Sequence, residues 1–146
     1  AAVALLGVLV TLNIRYSNIL YLKADVMQTQ MISYYTTLIT RIESIEGYTE
    51  DAQVVYIGEY DKHDKNLVGI SEYFDDLDLA TYKGEPIFND YAWKEAMEFW
   101  CGFAPELGDA AEFDGNAEVA SMPCYPDQGS IRCINGKIVV KFADEP

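Results

Sequence analysis

Side chains able to do chemistry are thinly scattered in this sequence. The single histidine, His63, stands in the run Asp61-Lys62-His63-Asp64-Lys65, where Asp61, His63 and Asp64 offer donor atoms for a metal. Metal sites gather three or four converging ligands, and one histidine in a charged loop is more simply a solvated side chain. Asp75, Asp76 and Asp78 resemble a calcium loop, but the glycine at loop position six and the later bidentate glutamate are missing. Glu95 with Glu98, and Asp109 with Glu112, stand three apart, a spacing open to carboxylate-pair glycosyl chemistry but more simply that of a solvated helix face. The run 54–58 begins like a nucleotide-fold strand, yet no G-x-G-x-x-G follows it, and no G-x-S-x-G elbow occurs. No catalytic, metal or cofactor-binding residues are therefore assigned, and no cofactor is expected.

Cys101, Cys124 and Cys133 are the three cysteines. In an oxidising compartment one pair could close, and Cys101–Cys124 is the preferred bridge because Cys133 falls in a strand. Three buried apolar thiols are the alternative, since a thiol packs as a small hydrophobe. Trp93 and Trp100 have two uses as well. They could stack on sugar rings, but filling the core opposite a long helix is the better expectation, because aromatic side chains dominate core area.

The elements that position these residues follow from apolar spacing. Met27, Met31, Tyr34, Leu38, Ile42 and Ile45 recur every three or four residues, which puts them on one helical face, and Gly47 is a natural stop. Residues 53–59, QVVYIGE, predict a strand. The stretch 60–90 is acidic and turn-rich, with a short apolar piece at 67–70. Residues 90–103 predict a second amphipathic helix, capped by Asn89 or Asp90 and ended before Pro105. Asp114 is the expected cap of a short helix over 115–122, stopped by Pro123. Asn135-Gly136 between the β-rich runs 131–134 and 137–142 is a strong hairpin signal, because both turn positions need positive φ. Helix, strand, helix, short helix and hairpin together predict a mixed α/β sandwich with helices packed on a small sheet.

Composition narrows the setting. The chain has 146 residues, half of them hydrophobic, so one domain of roughly 100–150 residues with its own core is expected. Its net charge of −14 excludes nucleic acid as a partner held by bulk attraction. The charge is uneven: residues 1–50 carry three basic and four acidic side chains, against seven and twenty over 51–146. Residues 1–12, AAVALLGVLVTL, are uncharged but too short to span a bilayer, which takes about 20 residues. A signal-peptide core and a buried helix compete with a third reading, the end of a membrane helix that begins upstream. Arg15, Tyr16, Tyr21 and Lys23 follow as interfacial residues would, and favour the third. The expected organisation is a membrane-helix end at 1–16 and an extracytoplasmic α/β domain at 17–146.

Several short runs carry a family resemblance: 13–18 (NIRYSN), 20–25 (LYLKAD), 41–48 (RIESIEGY), 54–58 (VVYIG), 118–126 (EVASMPCYP), 129–131, 134–136 and 138–142 (IVVKF). In this order and spacing they make the chain resemble, over most of its length, the C-terminal extracytoplasmic region of multi-pass bacterial glucosyl transferases of the O-antigen-modifying, Gtr-II-like kind. The acidic 60–90 loop, Cys101 and Cys124 depart from that pattern. The resemblance implies a parent enzyme that moves glucose from a polyprenyl-phosphate donor to a cell-surface glycan. Its catalytic carboxylates would lie in loops between membrane helices, so none is carried onto this sequence. The chain would then be a non-catalytic accessory domain in the cell membrane, facing outward. Its partners would be the rest of its own membrane domain and a cell-surface glycan. The alternative is a secreted or membrane-anchored module that binds an envelope glycan or protein.

Overall fold

The structure, a computed structural model, describes residues 2–58 and 92–143. The fold is mixed α/β: a long helix, a three-stranded sheet and short helices. Helix α1 runs unbroken from Ala2 to Glu43, so it begins well before the periodic stretch and crosses the expected boundary at residue 16 without a break. It has two textures. From 2 to 14 every residue is exposed, including Val3, Leu5, Leu6, Leu9, Leu12 and Ile14. An all-apolar run has no helical period, which is why periodicity reveals only the later half. Farther along, Met31, Tyr34, Tyr35, Leu38, Ile39 and Ile42 form a buried stripe at spacings of three and four. Leu38 and Ile42 are wholly buried, and each such side chain contributes about 1.5–3 kcal/mol.

The apolar part of α1 is longer than residues 1–12. Residues 2–22 hold one charged side chain, Arg15. At about 1.5 Å per residue they cover about 31 Å, the thickness of a bilayer's hydrocarbon core. Among the described helices, α1 is long and apolar enough to cross a membrane.

Strands β1 (Val54–Ile57), β2 (Ile131–Ile134) and β3 (Lys137–Lys141) form a sheet in the order β1-β3-β2. The hairpin joins β2 antiparallel to β3, with Arg132 opposite Val139. Asn135 and Gly136 both have positive φ, 54° and 77°, as the two-residue turn requires. β1 lies parallel to β3, with Val55 opposite Val139. Gly58 ends β1 at φ +76°, and a Cβ there would stand 2.7 Å from the nitrogen of Ala143, so the chain closes against β3 only with glycine. The outer edge of β1 is covered by residues 106–108, through Val54 N to Glu106 O and Gly108 N to Val54 O.

Alternation along the strands sorts the core into two layers. Val54, Ile138, Val140 and Phe142 meet the buried stripe of α1 and, from α2 (Ala92–Cys101), Ala96 and Met97. On the other side Val55, Val139 and Ile134 meet Phe113, Val119 and Met122. The latter come from a 3₁₀ turn, Ala110–Phe113, and the short helix α3, Ala117–Ala120. The sheet is thus covered on both faces.

Two details differ from the sequence reading. α3 is capped by Asn116, whose side-chain oxygen accepts from Glu118 N and Val119 N, and not by Asp114. Asp114 instead closes the 3₁₀ turn, donating its backbone N–H to Ala111 O. The two tryptophans also part company. Trp93 packs edge-on against Tyr56, ring centroids 4.7 Å apart, and against Phe142, whereas Trp100 is 47% exposed beside Phe99. The Asn89 and Asp90 caps, and the apolar piece at 67–70, lie outside the described residues.

Candidate functional site: a polar groove beside Arg41

The face of α1 opposite its buried stripe is rich in hydroxyls. Thr29, Thr36, Thr37, Thr40 and Ser44 each donate to the carbonyl four residues earlier, at 2.5–2.9 Å. Serine and threonine compete with solvent for these carbonyls in just this way, and the stripe stays uncharged until Arg41.

Arg41 ties this face to the loop between α3 and β2. Its Nη1 donates to the carbonyl of Pro126 at 2.6 Å, and its guanidinium carbon stands 5.3 Å from the centre of the Tyr125 ring. The loop is well held. Tyr125 N donates to Lys141 O, and the Tyr125 ring meets Tyr34 and Phe142 edge-on. The Ser130 side chain, almost wholly buried, donates to Asp127 O, while Ser130 O accepts from Lys141 N. The Tyr125–Pro126 peptide is cis.

Two hollows flank the Arg41 side chain. One, of about 450 Å³, lies among Thr40, Arg41, Ser44, Asp127, Gln128 and Ser130. The other, of about 340 Å³, lies among Gln30, Ser33, Tyr34, Thr37, Arg41, Tyr125 and Pro126. Sharing Arg41, they make a groove in which hydroxyl, amide and aromatic groups stand beside the apolar Ile45, Ile131 and Pro126, with one cation and one carboxylate. Such a lining suits binding and orientation of a polar ligand.

A third hollow, of about 430 Å³, holds the carboxylate pair Glu95 and Glu98 with Lys94, Tyr56 and Phe103. The Lys94 ammonium stands over the Trp93 and Tyr56 rings, 5.4 and 5.7 Å from their centres. The Tyr56 hydroxyl is buried with no hydrogen-bond partner among the described residues, and burial pushes its pKa well above the usual value. The second pair does not converge on a substrate. Asp109 caps the 3₁₀ turn by accepting from Ala111 N, and Glu112 forms an ion pair with Lys137.

His63, Asp61, Asp64, Asp75, Asp76 and Asp78 lie outside the described residues. Among the described residues no group of three or more histidine, cysteine, aspartate or glutamate side chains could hold a metal. The expected Cys101–Cys124 bridge is not formed, and all three cysteines are thiols. Cys101 ends α2 half-buried, where burial raises its pKa and a hydrogen bond with Thr36 of α1 lowers it in part. Cys124 belongs to the loop beyond α3, and Cys133 packs against Gly47.

Sequence reasoning missed the groove because its halves lie 85 residues apart, joined by the Arg41–Pro126 bond. The one signal available was the run of serine and threonine opposite the apolar stripe of α1. No family model, curated protein or solved structure matches the chain.

Proposed function

We propose that this chain is a membrane-anchored accessory domain on the outer side of the membrane, serving a glucosyltransferase that moves glucose from a polyprenyl-phosphate donor to a cell-surface glycan. The domain itself carries out no transfer. One observation carries the reading: α1 is a single helix whose first part is apolar and exposed on every side and whose second part is built into the core. Exposed apolar surface on that scale calls for a cover, and a bilayer supplies one of matching thickness. The short runs quoted above for the family resemblance suggest the parent enzyme. The carboxylates of Asp109 and Glu112 are taken up by a cap and an ion pair.

The test has two parts. The full chain should float with liposomes and resist carbonate extraction, while a chain lacking residues 2–22 should stay in the aqueous fraction. A fully soluble full-length chain would remove the membrane reading. Purified chain incubated with polyprenyl-phosphate glucose and a surface glycan should give no turnover, and glucose release or transfer would overturn the accessory role.

A further inference from the structure

We propose that the groove beside Arg41 binds a neutral polyhydroxylated ligand, a sugar ring or a short run of them. This deepens the accessory-domain reading by naming what the domain would hold, and it does not depend on the membrane anchor.

The groups that line the groove differ in whether they have hydrogens left to give. Thr37, Thr40 and Ser44 line the hollows and their hydroxyls donate to backbone carbonyls, which leaves their oxygens as acceptors. The Asp127 carboxylate is an acceptor too. A ligand matching such a row must bring many O–H donors, and a polyol does. Gln30 and Gln128 can both give and accept, and the half-buried Tyr125 ring adds carbon surface beside them. Each hollow falls within the range of about 300–1,000 Å³ usual for small-ligand sites.

Charged ligands fit less well. Arg41 is the one cation of the groove; one of its N–H groups donates to Pro126 O, its guanidinium faces the Tyr125 ring, and the Asp127 carboxylate lines the same hollow. Ten basic side chains against twenty-four acidic ones repel an anion from the whole chain. A metal ion would find the single carboxylate of Asp127.

The experiment uses the full chain in lipid nanodiscs, followed by backbone amide NMR. The probes are the methyl glycosides of glucose, galactose and mannose, the neutral oligosaccharide maltotriose, and inorganic phosphate. At least one neutral sugar should give saturable shifts confined to residues 30–44 and 125–131, and phosphate none. Thr37→Val with Thr40→Val should weaken that binding at least about fivefold, the worth of one hydrogen bond, with the remaining amide spectrum unchanged. Ser44→Ala, on the other side of Arg41, provides an independent second variant expected to act in the same direction. Silence from every sugar, saturable phosphate binding in the groove, or wild-type sugar affinity in both variants would overturn the proposal. Sugar binding by the chain lacking residues 2–22 keeps the two readings separable, because the groove would then survive a failed membrane test.

Discussion

The ammonium of Lys141 donates to the carbonyl of Met122 at 2.9 Å, from a side chain that is 2% exposed. It also reaches Val119 O and Ala120 O, at 3.2 and 3.3 Å, and so closes the C-terminal end of α3 from inside the core. A cation suits that end of a helix, where carbonyls lack intrahelical partners. Lys141→Met fills similar volume but takes this donor from the carbonyls of Ala120 and Met122. It should cost about 2–4 kcal/mol in urea unfolding. Lys137→Met, which breaks the partly exposed pair with Glu112, should cost under about 1 kcal/mol.

Gly58 and Gly115 separate two causes of glycine dependence. Both have positive φ, but a Cβ at Gly58 would press on Ala143 while one at Gly115 meets open space. Gly115→Ala should lose about 1–2 kcal/mol for the backbone alone. Gly58→Ala should lose clearly more, read as a larger drop in Tm under the same conditions.

The exposed apolar half of α1 should be sensitive to charge without affecting the fold. Leu9→Lys places an ammonium near the middle of the 2–22 segment, at a cost of about 2.5–3.5 kcal/mol for membrane insertion. The liposome-bound fraction should fall, while the unfolding midpoint of the domain stays where it was, because Leu9 is 55% exposed and packs on no core residue.

Tyr56 sets an alkaline limit. Burial raises its pKa above the usual 10, so the folded state keeps a proton that the unfolded chain gives up. Its contribution is fully present below pH 10 and is lost as pH rises toward the folded-state value. Stability should therefore fall with rising pH above about 10, with a shallower slope in Tyr56→Phe. Spectrophotometric titration should show Tyr56 ionising only together with unfolding.

Titration of denatured, unreduced chain with a thiol reagent should count three thiols, one for each of Cys101, Cys124 and Cys133. A count of one would restore a bridge.

How much of this was legible in advance depended on how local the cause was. The hairpin was readable because Asn135-Gly136 alone dictates its turn. The buried stripe from Met31 to Ile42 was readable because helical period is a local signal. The cap of α3 lies two residues beyond Asp114 because Asp114 and Asn116, with Gly115 between them, are both acceptors. The positive φ of Gly115 ends one turn before Asn116 starts the next. The parallel pairing of β1 with β3 joins residues more than 80 apart and left no trace in either strand's pattern. The groove was hidden for the same reason, as was the split between Trp93 and Trp100, which depends on the side of α2 each occupies.

Helix α1 contains no proline, and its one glycine is Gly7. A continuous helix fixes rotation as well as length, so the bearing of Arg41 about the helix axis is locked to the bearing of the apolar segment. One residue inserted between that segment and Met31 would lift the groove about 1.5 Å and swing it about 100°. Whatever covers the apolar segment would then face a different side of the domain.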